Sequence, residues 1–368
     1  MPQTVVYVSC AAEGVIAAFR LDSATGALTP LGRTAVPGPV DPPPASMPLA
    51  LSPDRRMLYA AGRNPPFPVA SFAIGKTGAL TLTGTGHLPA AMAYIATDRS
   101  GRFLFGASYH AAKLSVTPIG VNGVPGEPLQ VLDTQPKPHS ILPDPANNAV
   151  YAAVLGGDAI LRQAFCSVTG RLATPATPVA HTAPGAGPRH LRFARGGALL
   201  YVVNELDGTL NAYARDPATG ALTDLQSVRL VPPAAPGETL AAADLHLTPD
   251  ERFLYASERV TNILAGFRLR PDGRLDAIGS VPAEAVPRGF AIDPSGSWLL
   301  CAGQQTGRVA VWSISGSGAL SRLGDYRAGD SACWVEIINL PEAGPKSKQG
   351  QGAALDPQGV GGPLDPIP

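Results

Sequence analysis

The stretch Thr248-Pro249-Asp250-Glu251-Arg252-Phe253-Leu254-Tyr255 reads as a turn that feeds a strand, and its pattern recurs through the chain. A proline presets φ for the turn, an aspartate beside it tolerates the tight conformation, and the apolar residues that follow suit a buried pleated surface. An apolar pair of this kind, usually closed by an aromatic residue, stands at Val6-Tyr7, Leu58-Tyr59, Leu104-Phe105, Val150-Tyr151, Leu200-Tyr201, Leu254-Tyr255 and Leu299-Leu300, so its second member returns every 45 to 54 residues. Turn signals precede most of the pairs: Ser52-Pro53-Asp54, Asp98-Arg99-Ser100-Gly101, Pro143-Asp144 and Asp293-Pro294-Ser295-Gly296, with Ala194-Arg195-Gly196-Gly197 substituting before Leu200-Tyr201.

A second landmark follows each pair by about 20 residues: Gly26-Ala27-Leu28, Gly78-Ala79-Leu80, Gly170-Arg171-Leu172, Gly220-Ala221-Leu222, Gly273-Arg274-Leu275 and Gly318-Ala319-Leu320, with Gly123-Val124-Pro125 in the third unit. Between the landmarks lies a segment that alternates, as in Leu210-Asn211-Ala212-Tyr213 and Val309-Ala310-Val311-Trp312, which is the period of a strand. Each unit therefore holds four strands. Repeats of about 40–50 residues with four strands are the signature of propeller blades. Seven units predict an all-β, seven-bladed β-propeller built from four-stranded antiparallel blades.

The first unit begins at its second strand, near Thr4, and the seventh is followed by a spare strand over residues 331–339. That spare strand is expected to serve as the inner strand of the first blade and so close the ring without an open edge. The propeller domain is placed at residues 1–340. Residues 341–368, mostly Pro, Gly, Gln, Ala and Lys without periodicity, read as a flexible tail.

Composition narrows the function. The chain carries 28 Lys and Arg against 28 Asp and Glu, with no basic block, so neither nucleic acid nor a membrane surface is an expected partner. Cys10, Cys166, Cys301 and Cys333 form no CxxC motif and read as reduced thiols. The first residues enter a strand without a signal-peptide pattern, and no apolar run is long enough to span a bilayer, so a cytoplasmic location is expected. No spacing of His, Cys and Asp resembles a zinc site, and Gly84-Thr85-Gly86 has no helix after it; neither a metal nor another cofactor is expected. A monomer or weak homodimer is expected in solution.

The repeat places the polar residues. The starts of the inner strands and the ends of the second strands lie at the same end of an antiparallel pair. That rim is expected to gather Arg189, Arg259, Arg288, His139, His190, His246, Glu205, Glu258, Asp244, Asn204, Tyr109 and Gln304, while the opposite turns carry ordinary surface chemistry. Converging polar groups in a concave site are the default ligand site. Bland roles compete: Arg259 could pair with Glu258 or Asp244 to join two blades, and His190 and His246 could be satisfied by strand carbonyls. His87 and His181 fall in outer strands and read as surface residues.

Five motifs carry a family likeness: Gly187-Pro188-Arg189-His190, Asn204-Glu205-Leu206, the run from Asp244-Leu245-His246 to Asp250, Pro287-Arg288-Gly289-Phe290 and Ala302-Gly303-Gln304. Over about residues 4–339 the chain resembles the lactonase family of seven-bladed propellers, which includes 6-phosphogluconolactonases and a 3-carboxymuconate lactonizing enzyme. The resemblance implies a histidine, a glutamate and arginines at the channel mouth. By motif these are His139, Glu205 and Arg189, with a further arginine at Arg259 or Arg288. The expected catalytic set is Glu205, His139, Arg189 and Arg288; the expected substrate-binding set is Arg259, His190, His246, Tyr109, Asn204, Asp244 and Gln304.

The implied activity is hydrolysis of a sugar-acid lactone, either 6-phosphogluconolactone or an aldonate or aldarate lactone. Glu205 or His139 would activate water, and arginines would bind a small anionic substrate or polarise its carbonyl. A muconate-type cycloisomerase acting on a diacid, and a propeller that binds without catalysis, are the competing readings.

Overall fold

In the computed structural model, which describes residues 3–232 and 239–340, the chain forms seven antiparallel sheets arranged as blades. The expectation for residues 341–368 lies outside the described residues. Blade 1 orders its strands Ala332–Asn339, Thr4–Cys10, Val15–Leu21 and Leu28–Ala35 from inside outward. The last strand of the chain thus closes the ring, with Thr4 opposite Asn339 and Ser9 opposite Trp334. Thr4 Oγ1 donates to Asn339 Oδ1 at 2.7 Å across that closure.

The two sequence landmarks bind each other across neighbouring blades. Tyr7 of blade 1 donates its hydroxyl to the carbonyl of Gly78 in blade 2, and Tyr151, Tyr201 and Tyr255 do the same to Gly220, Gly273 and Gly318 of the next blade along. The glycine is required twice over at Gly220. Its φ is +75°, and a Cβ there would sit 2.5 Å from the Tyr151 hydroxyl, leaving no room for any other residue. The turn signals have an equally local cause. Asp98 Oδ1 accepts from the backbone N–H of Phe103, and Asp293 Oδ1 from that of Trp298, each fastening the turn to the strand it feeds. Ser52 and Thr248 do this with a hydroxyl, on Met57 and Phe253.

The core is divided. Seven hydrophobic clusters each draw on two adjacent blades, as where Val6, Val8 and Phe19 of blade 1 meet Leu300, Val309 and Val311 of blade 7. Every blade is therefore held by apolar burial on both faces, the main favourable term in folding. Blade 4 departs from the four-strand expectation. Its outer edge is split into Arg171–Leu172 and Thr177–His181, both paired with Ala159–Cys166. Pro175 lies at this break, where a residue without an N–H cannot continue the ladder.

Candidate active site at the channel mouth

The inner strands do not pair regularly at their starts. In blade 5, Pro188 stands opposite Asn204 and His190 opposite Val203, so Arg189 is an extra residue without a ladder partner. The same bulge inserts His139 in blade 4, between Pro138 and Ser140, and Arg288 in blade 7, between Pro287 and Gly289. In blade 1 it inserts Cys333. A bulge breaks the alternation of faces and re-aims one side chain. It is why Arg189 and His190, neighbours in sequence, both belong to the channel.

Glu205 follows the second strand of blade 5 (Leu199–Asn204) and meets two arginines. Arg189 Nε donates to Oε2 at 2.8 Å, and Arg259 Nη2 lies 3.0 Å from Oε1. Arg189 is 2% exposed and also donates to the Ala243 carbonyl and, at 3.1 Å, to His190 Nε2. Arg259 donates Nε to the Ala241 carbonyl at 2.8 Å. It pairs with Glu205, not with Glu258 or Asp244. Burial pushes the Glu205 carboxyl up, but Arg189, Arg259 and Arg288 together outweigh it and hold the group below the usual carboxylate range.

His139 stands beside this cluster. It is buried, its ring centre lies 5.2 Å from that of His190 and 5.9 Å from that of Tyr109, and its Nδ1 has no hydrogen-bond partner among the described residues. Burial, then the charges of Arg189, His190, Arg288 and Arg259, keep it neutral far below the ordinary histidine range. Tyr109 is half-buried at the mouth, with Lys137 Nζ 5.7 Å from its ring centre. Arg288 makes no side-chain hydrogen bond or ion pair to a described residue; burial and the nearby Arg259 lower its proton affinity.

Other expected members lie elsewhere. Asn204 is fully buried and turns its amide into its own blade, donating Nδ2 to Thr209 Oγ1 at 2.7 Å. Glu258 is fully buried too, accepting from the N–H groups of Ala241, Val260 and Thr261; it anchors the turn that presents Arg259. Gln304 is at the rim but bridges blades, donating to the Ala45 carbonyl at 2.7 Å and to Ser331 Oγ at 3.2 Å.

His190, Asp244 and His246 lie beneath the mouth. Asp244 Oδ1 accepts from His190 Nδ1 at 2.8 Å, which leaves Nε2 to accept from Arg189, and Oδ2 is 3.2 Å from His246 Nε2. His190 is thus satisfied by a carboxylate, where strand carbonyls had been the alternative, and His246 Nε2 stands between Asp244 Oδ2 and Arg192 Nη2, 3.2 Å from each.

His246 and Asp244 face a cavity of about 170 Å³ that also touches Tyr94, Arg192, Trp334 and Glu336 and reaches Thr97 and Pro143, beside the Pro-Asp turns. The opposite end of the channel is thus not bare surface, and His246 belongs to that end. The strand period explains it: His246 is two residues deeper than Asp244, and the channel face repeats every second residue.

One residue of this rim stands outside the expected site set. Arg63 follows the second strand of blade 2 and is placed like Arg259, and its charge reaches Arg288. Its position at a second-strand end was the available signal. Among the described residues, no group of His, Cys, Asp and Glu could hold a metal ion. The cysteines are all free thiols.

The comparisons with known proteins agree with this architecture. A family model described as "Lactonase, 7-bladed beta-propeller" matches residues 5–337. A 6-phosphogluconolactonase of Pectobacterium carotovorum is 39% identical over 340 residues, covering 92% of this chain and 99% of the relative. One from Yersinia pestis is 39% identical over 334 residues, 90% of this chain and 97% of its own. The crystal structure of a periplasmic gluconolactonase of Pseudomonas aeruginosa superposes with a TM-score of 0.82 at 25% identity, covering 93% of this chain and all of that one.

Proposed function

Because the chain belongs to the seven-bladed β-propeller lactonase family, we propose that it hydrolyses 6-phosphogluconolactone, with water as nucleophile and His139 as the group that takes its proton. One observation carries this reading: Arg189, Arg259 and Arg288 act on a single carboxylate, Glu205, beside a neutral histidine whose buried Nδ1 has no partner among the described residues. Such a site attracts an anion and stabilises negative charge that develops on it. The relatives named 6-phosphogluconolactonase favour this substrate over an unphosphorylated aldonate or aldarate lactone.

The step is an ester hydrolysis. Water adds to the lactone carbonyl carbon as its proton passes to His139, and the carbonyl electron pair moves onto oxygen in the arginine field. Collapse breaks the bond to the ring oxygen, which takes back the proton held by His139, and the open-chain acid gives up its own proton to water and leaves as its carboxylate. The division of labour between Glu205 and His139 follows from their partners. Both Glu205 oxygens are engaged by arginines, so Glu205 positions Arg189 and Arg259. His139 is free to accept a proton, and a bound anion would offset the arginine charges that depress its basicity. A phosphorylated lactone does not cross a membrane unaided, so the reading carries a cytoplasmic location with it.

A panel of 6-phosphogluconolactone, gluconolactone and aldarate lactones, followed by acid release, tests the reading beside Glu205→Gln. Turnover of 6-phosphogluconolactone should be the fastest, and the variant should lose at least about tenfold in kcat/KM, roughly 1.4 kcal/mol. No lactone turnover, with loss of absorbance of a muconate diacid instead, would replace hydrolysis by cyclisation. Turnover of neither, with the variant unchanged, would leave a binding propeller.

A further inference from the structure

The mouth arginines are not equivalent. Arg189 and Arg259 are ion-paired with Glu205 and also donate to the carbonyls of Ala243 and Ala241. Arg288 has no protein partner among the described residues, and Arg63 spends only Nη1, donating to Ser46 Oγ at 2.9 Å, while its Nε is buried and unpartnered.

A continuous path joins these two around the ring. Gly289, next to Arg288, packs on the Cys333 carbonyl so closely that a Cβ would sit 2.6 Å from it. The Cys333 thiol is 3.4 Å from the backbone N–H of Met47, and Met47 follows the Ser46 that Arg63 holds. The charge of Arg63 is felt at Arg288. The mouth therefore has two sectors. Blades 4 to 6 carry His139, Arg189, Glu205 and Arg259; blades 7, 1 and 2 carry Arg288, Cys333 and Arg63.

The proline-rich segment between Pro37 and Pro44 has its place here. It runs from blade 1 to blade 2 and is fastened by Asn64 Nδ2, which donates to the Pro42 carbonyl at 2.8 Å, and by Gln304, which donates to the Ala45 carbonyl. Both anchors flank the Arg63 side of the mouth. The segment braces Ser46 and hence the Arg63 guanidinium against blade 7.

We propose that Arg63 and Arg288 form a phosphate clamp, a specificity element that takes the terminal phosphate of the substrate and sets its lactone carbonyl against His139 in the other sector. Unspent guanidinium N–H groups suit phosphate oxygens, which accept from arginine in paired, charge-assisted bonds. The inference rests on the proposed lactonase reading but is separable from it, because the clamp acts on the phosphate and not on the ester.

The test uses the full chain and the variants Arg63→Gln and Arg288→Gln. In each, kcat/KM for 6-phosphogluconolactone and for gluconolactone is measured, and the ratio of the two should fall at least tenfold. The loss should appear mainly as a higher KM for the phosphorylated lactone. Titration with inorganic phosphate, read by calorimetry, should show binding to the wild type that is weakened at least tenfold in both variants. An unchanged ratio, or equal losses on both lactones, overturns the clamp, as does wild-type protein that binds no phosphate. If the wild type binds phosphate through these two residues yet turns over no lactone, the lactonase reading fails and the clamp stands. Arg288 makes no internal bond to a described residue, so its variant keeps the test valid should Arg63→Gln fail to fold.

Discussion

In the proposed reaction, environment divides the labour between two titratable side chains, Glu205 and His139. Burial alone would make Glu205 a stronger base, but Arg189 and Arg259 hold it ionised and weakly basic. His139 is neutral for the opposite reason: burial and four positive or polar neighbours disfavour its charge. A base works while unprotonated, and a depressed pKa keeps it so until the pH falls well below 6.5. We expect kcat/KM to stay level as the pH falls through 6.5, with the acid limb below it, and His139→Asn to lower kcat by roughly 10²–10³. An acid limb centred at 6.5 or above, or wild-type turnover in the variant, would remove His139 from the role.

The element that makes the site is the bulged start of the inner strand. The sequence Pro-X, at Pro138-His139, Pro188-Arg189 and Pro287-Arg288, puts a residue lacking an N–H before an unpaired one. The proline lacks the donor that a regular ladder would use, so the irregularity falls where its backbone cost is small. In blade 7 this geometry relies on Gly289 lying against the Cys333 carbonyl. Gly289→Ala should push the strands of blades 7 and 1 apart, cost roughly 1–3 kcal/mol in urea unfolding, and impair phosphorylated-lactone turnover by moving Arg288. A variant with wild-type stability and rate would show that the contact is soft.

At the scale of the whole molecule, the channel concentrates buried charge. Burial pushes His190 down to about 3, whereas burial raises the Glu336 carboxyl to about 7, against the hydrogen bond from Trp334 Nε1 and the charge of Arg192. A carboxyl with a raised folded-state pKa contributes stability that is present below its unfolded value, near 4.5, and lost as the pH rises through about 7. Glu336→Gln mimics the protonated form. The variant should melt higher than wild type at pH 8, by roughly a few degrees, and the two should converge at pH 5. The histidine contributions are common to both proteins, so the difference isolates Glu336. Equal melting points at pH 8 would show that the carboxylate is already solvated by the cavity it faces.

The architecture was legible in the sequence, because the repeat writes most of each blade's local chemistry again in the next: a turn capped by Asp, Ser or Thr, an apolar pair, and a glycine that the neighbouring blade's tyrosine packs against. Ring closure was legible for the same reason, since a first unit lacking an inner strand and a spare strand at the end complement each other. Glu205, Arg189, Arg259 and Arg288 could be placed at one mouth because antiparallel pairing fixes which strand ends coincide. Only the tertiary structure decided which polar groups spend their bonds on the protein. Asn204 turned inward, Glu258 became a turn anchor, His246 fell to the far end of the channel, and Arg63 kept most of its guanidinium unspent. Those outcomes depend on bulges and on contacts between blades far apart in sequence, which no local pattern of residues encodes.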